Sequence, residues 1–282
     1  AAMDSSVATR PTVDMDAYRE TLTQFVFRTG LVMKPFFDRA RGDLKSVVYA
    51  EGEEETVLRA VQAVVDERLA RPILIGRPAV INSRIERMGL RLREGVDFDL
   101  TNINDDPRFN DYWAHCHRLM ERKGVSPNYA RREIGRRATL YGALMVQLGY
   151  ADGLICGTFG RHETHRQYVE NVIGTQHGLD RYYTMNLLML PGRTVFIADT
   201  YVNYDPTAEQ LADMTLLAAA EIRNFGMHPK VALLSHSTFG TEETPTAIKM
   251  REVLRILNQR APKLEVEGEM HGAAALDEQI RL

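Results

Sequence analysis

Val47-Val48-Tyr49-Ala50-Glu51-Gly52-Glu53-Glu54 is a short apolar run that breaks into carboxylates around a glycine. An apolar run of this length reads as a buried strand. The carboxylates then open a helix whose apolar residues are Val57, Leu58, Val61, Val64, Val65 and Leu69. Pro72-Ile73-Leu74-Ile75-Gly76 repeats the pattern, with Pro78 at the start of the helix behind it. Strands alternating with helices at this spacing predict a parallel sheet with crossover helices, the α/β class.

The same pattern extends outward. Residues 97–100 form a weaker strand, followed by a helix carrying Tyr112, Trp113, Cys116 and Leu119 that ends near Lys123-Gly124. A helical pattern over 128–148 is broken or bent near Gly135 and carries Arg131, Arg132, Arg136 and Arg137, either a solvated face or a ligand cluster. Asp152-Gly153-Leu154-Ile155-Cys156-Gly157 is a further strand, from which Thr158-Phe159-Gly160-Arg161-His162 leads into a helix through Val172. After Gly174 two apolar runs, 183–190 and 194–199, are joined by Pro191-Gly192-Arg193 and predict an antiparallel hairpin. Asp205-Pro206-Thr207 starts an apolar helix through Phe225. Val231-Ala232-Leu233-Leu234 then empties into Ser235-His236-Ser237-Thr238-Phe239-Gly240-Thr241, followed by a helix over 246–258, a strand over 264–267 and Gly268-Glu269-Met270-His271-Gly272. Residues 1–15 read as a tail or linker, with Tyr18, Leu22, Phe25 and Val26 on a first helix. The expected organisation is two α/β domains, 16–173 and 174–282, with mostly parallel sheets and a cleft between them.

Composition narrows the function classes. Of 282 residues 44% are hydrophobic and 26% charged, which is ordinary for a globular protein. A net charge of −3 argues against nucleic acid or an anionic membrane as the main partner, without excluding a local basic cleft. Two cysteines, Cys116 and Cys156, far apart in the chain, suggest neither a disulfide framework nor a metal site, and point to the cytoplasm. No apolar run approaches the ~20 residues that span a bilayer. The first residue is Ala1, so the chain reads as a fragment of something longer.

No Walker loop, GxSxG elbow, Rossmann fingerprint or HExxH site occurs, which disfavours nucleotide hydrolysis, esterase and metalloprotease chemistry. His162 and His165 lie three apart without a third ligand, so no metal is expected. Cys156 is either a stabilised thiolate at a strand end or a small buried thiol. Ser235 to Thr241 is either a helix cap or a phosphate cradle at the carboxyl end of a strand. Three strand ends carry polar, glycine-containing loops, and if they converge they line one cleft for an anionic small molecule.

Glu51-Gly52-Glu53-Glu54-Glu55, Ile75-Gly76-Arg77-Pro78, the segment from Asp152 to Gly160, Ser235 to Thr241 and Gly268-Glu269-Met270-His271-Gly272 together resemble the phosphotransacetylase-like carboxy-terminal domain of large bacterial NADP-dependent malic enzymes. The resemblance covers about Asp14 to the end, and Ala1 to Pro11 is similar to the end of the preceding malic-enzyme region. It implies two α/β domains around a cleft where true phosphotransacetylases move an acetyl group between CoA and phosphate.

Departures from that pattern fall on reactive positions. Met120 stands where the family has an arginine, Phe239 where it has a lysine and Ala273 where an aspartate is usual. The family's Gly-Ala-x-His-Ser/Thr loop is replaced by Gly157-Thr158-Phe159-Gly160, and its late Ser-Arg and Asp segment has no counterpart. Each missing cation or donor removes a contribution of a few kcal/mol to stabilising developing charge. The resemblance therefore implies a regulatory, acetyl-CoA-binding and self-associating domain with no catalytic residue of its own. Its expected ligand residues are Gly157, Thr158, Phe159, Arg161, Arg166, Ser235, Ser237, Thr238, Phe239, Gly240 and Thr241. The oxidation of malate to pyruvate and CO2, with NADP and a divalent metal, would belong to an upstream domain. An active phosphate acetyltransferase and a purely structural oligomerisation module are the alternatives.

Overall fold

The computed structural model describes residues 33–179, 181–190, 193–200 and 202–281. The tail and first helix expected over 1–27, and the Pro191-Gly192 corner, lie outside the described residues. The chain forms two compact units that divide between Asp180 and Arg181.

In the Phe36–Asp180 unit, β1 (Ser46–Tyr49), β2 (Arg71–Ile75), β3 (Asp99–Thr101) and β4 (Gly153–Ile155) make one parallel sheet in the order β3-β2-β1-β4. Side chains alternate across it because successive residues of a strand point to opposite faces. Val48, Ile73 and Ile75 pack with Tyr112 and Cys116 of α3 (Phe109–Met120), Ile134 of α4 (Pro127–Ile134), and Tyr141, Leu144 and Met145 of α5 (Ala138–Gln147). Tyr49 and Leu74 pack on the other face with Val57, Leu58 and Val61 of α1 (Glu55–Asp66) and Ile81 and Ile85 of α2 (Pro78–Arg87). Both faces are covered, which is why β1 and β2 read as continuous apolar runs rather than alternating ones.

Of the break or bend expected near Gly135, the structure has a break: α4 ends at Ile134 and α5 begins at Ala138. The second piece is buried nearly all round, from Thr139 to Met145, and lies close against the sheet. A Cβ at Gly142 would stand 2.7 Å from Leu154 Cδ1 and 3.2 Å from Val48 Cγ1. After β4, α6 (His162–Val172) closes the unit.

The unit containing Arg181–Leu282 has an antiparallel hairpin of β5 (Met185–Leu190) and β6 (Arg193–Ala198), as the two apolar runs predict. Thr207 and Gln210 form a reciprocal capping box on α7 (Ala208–Asn224). This helix packs with α8 (Pro245–Arg260) over a parallel pair, β7 (Lys230–Leu234) and β8 (Glu265–Met270), around Ala212, Leu233, Val253 and Leu257.

The strand expected over 264–267 therefore continues through Met270. Leu233 pairs with Gly268 but Leu234 pairs with Met270, leaving Glu269 as an extra residue in the ladder. A bulge of this kind re-aims a side chain, and here Glu269 is fully buried.

Candidate functional site

In an open parallel sheet the carboxyl ends of the strands leave a crevice where the strand order reverses. In the first unit the chain runs outward through β1, β2 and β3, then returns to place β4 on the other side of β1. A cavity of about 580 Å³ opens at this edge, lined by the residues that leave β1 (Ala50, Glu51), β2 (Gly76, Arg77) and β3 (Asn102), and by Phe159, Gly160 and Arg161 beyond β4. The break between α4 and α5 contributes Gly135, Arg136 and Arg137, and α6 contributes Thr164, His165 and Tyr168. Two of the three expected loops thus share one cavity. The third, Ser235 to Thr241, belongs to the other unit.

Arginine is an unusual residue at a helix start, where side-chain oxygens are preferred and the macrodipole is positive. Yet Arg77, Arg137 and Arg161 are the N-cap residues of α2, α5 and α6, none forms a side-chain cap hydrogen bond, and all three line this cavity. Arg77 is anchored by Glu53, donating Nε to Oε1 at 2.8 Å and Nη2 to Oε2 at 2.7 Å. These bonds hold the Glu53 carboxyl below its ordinary range, against the opposing effect of burial. Gly52 lets β1 and β2 close under the pair, since a Cβ there would meet Ile75 O at 2.8 Å. Arg137 Nε reaches Glu133 at 3.4 Å. Among the described residues, the Arg136 and Arg161 guanidinium groups have no carboxylate partner.

The floor is a fixed polar network. Buried Glu51 accepts the Gly157 N–H at 3.1 Å and the Thr158 hydroxyl at 3.5 Å, tying the start of the β4 loop to the end of β1. His165 Nε2 donates to the Phe159 carbonyl at 2.9 Å, and Nδ1 lies 2.7 Å from the Thr139 hydroxyl. His165 is thereby a clamp that shapes the Phe159-Gly160-Arg161 loop. Burial and the neighbouring Glu51 carboxylate push the Cys156 thiol up, so at neutral pH it is a protonated thiol.

Arg166 points into a different set of contacts. Its guanidinium meets Glu163 and Glu170 of its own helix, both at 2.7 Å, and it is not among the cavity-lining residues.

The loop of the other unit is organised around an internal anion. Glu269 Oε1 accepts from Ser237 Oγ at 2.9 Å, Gly240 N at 2.8 Å and Arg251 Nη1 at 3.1 Å. Phe239 N donates to the Glu269 carbonyl at 2.8 Å, which helps hold Phe239 at a φ of 48° with its ring half exposed. Thr241 accepts from Thr238 N at 3.1 Å, and Ser237 N donates to Ser235 Oγ at 3.3 Å. The helix that follows is capped by Thr244, which accepts from Ala247 N, and not by this loop. Despite burial, the backbone N–H of Gly240 and the Ser237 hydroxyl hold the Glu269 carboxyl below its usual range.

The sequence matches the phosphate acetyl/butaryl transferase family over residues 31–282. The chain belongs to that family. A solved phosphotransacetylase from Streptococcus pyogenes superposes with a TM-score of 0.79 at 26% identity, covering 89% of this chain and 75% of that one. At the level of sequence, the chain is 52% identical over 281 residues to an NADP-dependent malic enzyme of Salmonella typhimurium. That alignment takes in 100% of this chain and 37% of the relative, so the chain spans little more than a third of its length. It is also 34% identical over 256 residues to a phosphate acetyltransferase of Nitratidesulfovibrio vulgaris, covering 91% of this chain and 35% of that protein.

In this member of the phosphate acetyl/butaryl transferase family, Met120 and Phe239, two positions where the resemblance implies a lost cation, have the following settings. Met120 borders a second cavity of about 210 Å³, lined on one side by Cys116, Val125 and Leu140 and on another by Glu133, Gln167 and Asn171. Phe239 sits in the tight turn over Glu269, close to a carboxylate already held by Arg251. Sequence reasoning noted Arg136 and Arg137 without separating them from Arg131 and Arg132. The helix break at Gly135 is the feature that does so, turning the later pair into the cavity.

Proposed function

We propose that this chain is a regulatory, acetyl-CoA-binding and self-associating domain of a malic enzyme, without transferase activity. One observation carries the reading. A chain of the phosphate acetyl/butaryl transferase family is similar along its whole length to malic enzymes, and the resemblance drawn from the sequence implies that Met120 and Phe239 replace cations of that family. The cationic cavity supports the ligand half of the proposal, since acetyl-CoA is a polyanion with a nucleotide end. Malate oxidation, with its NADP and divalent metal, is assigned to the portion of the relatives that this chain does not cover, and the cytoplasm is the compartment in which such an enzyme would meet acetyl-CoA.

Regulation requires acetyl-CoA to bind two arrangements of the assembly with different affinity, a coupling of typically 1–3 kcal/mol. The similarity to phosphate acetyltransferases favours the second reading, an active phosphate acetyltransferase. Incubating the purified chain with acetyl phosphate and CoA, and following thioester absorbance, separates the two. No thioester above the uncatalysed rate is expected; turnover would establish the second reading and remove the regulatory-only one.

A further inference from the structure

The second cavity, of about 210 Å³, has the opposite electrostatic character to the first. Cys116 and Met120 close it from α3 and Leu140 from α5, an apolar side that contains two sulfur atoms 4.0 Å apart. Among the described residues that line it, Glu133 of α4 is the one charged side chain. That carboxylate is 17% exposed, yet its contacts are long: Arg137 Nε and the Tyr168 hydroxyl both stand at 3.4 Å. The Arg137 side chain is half exposed, so its charge is largely hydrated and neutralises Glu133 weakly. Two further cations beside the cavity have neutral partners: Lys123 donates to the Asn171 amide oxygen at 3.0 Å, and Arg132 lies over the Tyr129 ring. A mostly buried carboxylate without a close cation is costly, so a ligand that supplies the cation is favoured.

We propose that this cavity binds a primary organic ammonium ion with an apolar body the size of one aromatic ring, its ammonium group on Glu133. An ammonium carries three donors and needs acceptors for them. Glu133 supplies the charged one. Gln167 donates its Nε2 to Glu163 at 3.3 Å, which leaves its amide oxygen to accept. The Tyr168 ring, which also borders the cavity, adds a π face that attracts a cation. On the apolar side, the Met120 and Cys116 sulfurs and Leu140 suit an aromatic body, because sulfur packs favourably against ring edges. Burial pushes the Cys116 thiol up to about 11, so it adds no second anion. Other classes fit poorly. A lone carboxylate beside sulfur and hydrocarbon is a poor cage for a metal ion, and no group of three metal-type side chains occurs among the described residues. Anionic ligands meet Glu133, and the volume is below that of sites for drug-sized molecules. The ligand class differs from acetyl-CoA, and the inference does not depend on the acetyl-CoA proposal.

The test is NMR titration of the whole chain, labelled at its methionine methyl groups, with phenethylammonium chloride, phenethyl alcohol and hydrocinnamate, which share a phenethyl body and differ in charge. The chain has 12 methionines, and Met120 is the one in this lining, so its signal, assigned with Met120→Leu, locates the binding. The ammonium is expected to shift that signal saturably, with a dissociation constant of about 1 mM or lower. The alcohol should bind about tenfold more weakly and hydrocinnamate not at all. Glu133→Gln, which keeps the side-chain shape, should weaken the ammonium about tenfold to a hundredfold and leave the alcohol within about twofold, abolishing the preference. Glu170→Gln, which removes an exposed carboxylate of α6 outside the lining, should change the ammonium affinity by no more than about twofold. Matching thermal unfolding curves would show that both variants fold; should Glu133→Gln fail to, the charge series on the parent and the Met120 signal still decide. No saturable shift of the Met120 signal up to about 10 mM ammonium, equal affinity for the three compounds, or a preference for the ammonium kept in Glu133→Gln would overturn the proposal.

Discussion

Replacing Glu269 with alanine is expected to destabilise the carboxy-terminal unit by about 2–4 kcal/mol: the carboxylate is fully buried and gathers three donors, while its Arg251 partner stays partly hydrated. Three donors converge on a single carboxylate oxygen at 2.8–3.1 Å: the Ser237 hydroxyl, the Gly240 N–H and the Arg251 guanidinium. Without the carboxylate, the Gly240 N–H loses its partner, the Ser237 hydroxyl keeps only its contacts with Thr241 and the Glu242 N–H, and Arg251 keeps only its outer contacts with Glu242 and Glu243. Thermal unfolding should shift downward by on the order of 10 °C for a unit of this size. Glu269→Gln should cost less, because an amide oxygen still accepts. The pH dependence has a definite sign. The folded-state pKa of Glu269 is lowered, so its contribution is present above the unfolded value of roughly 4.3 and is lost as pH falls through the folded value. Below about pH 4 the stability gap between parent and variant should therefore narrow. A variant that melts with the parent would show that the loop is not organised by this group.

The second large effect is expected at Asp106→Ala, in the other unit. Asp106 is 2% exposed and receives the Arg108 fork at 2.8 and 2.9 Å together with the Arg108 N–H at 2.9 Å. Arg108 in turn lies over the rings of Tyr112 and Tyr150, with centroids at 5.7 and 5.0 Å, and Tyr112 meets Tyr141 edge-on at 4.8 Å. Burial raises the cost of the Asp106 charge, but the Arg108 contacts outweigh it and leave the carboxyl below its ordinary range. The same burial pushes the Tyr112 hydroxyl up to about 12, so it stays neutral. Removing the aspartate strands a guanidinium that is about one-third exposed, so part of its charge is still hydrated. The expected cost is about 2–3 kcal/mol, below that of a fully buried pair. A urea titration followed by circular dichroism should show a lower midpoint with an unchanged slope; an unchanged midpoint would mean that the aromatic stack alone holds the turn.

The first unit was legible because its strands are covered on both faces. Val47 to Ala50 and Pro72 to Gly76 have no polar interruptions, and the carboxylates or proline that follow mark the turn into each helix. The hairpin and the Thr207 capping box carry equally local signatures. What escaped reading depends on register and on partners distant in sequence. Glu265, Glu267 and Glu269 look like one solvent-facing row, and only the bulge opposite Leu234 turns Glu269 inward. Ser235 to Thr241 suits a cradle for an anion, and no local pattern shows that Glu269 already provides one. Arg161 and Arg166 are similar on paper. Glu163 and Glu170 satisfy Arg166 within its own helix, whereas Arg161, at the helix start, faces the cavity.

The central claim is that this chain binds acetyl-CoA and does not transform it. Its most direct measurement is the titration of the isolated chain with acetyl-CoA, read by calorimetry and by recovery of the ligand afterwards. The account predicts saturable binding with the thioester recovered intact in the presence of phosphate. Absence of both binding heat and any change in melting temperature, or release of CoA and acetyl phosphate, would contradict it.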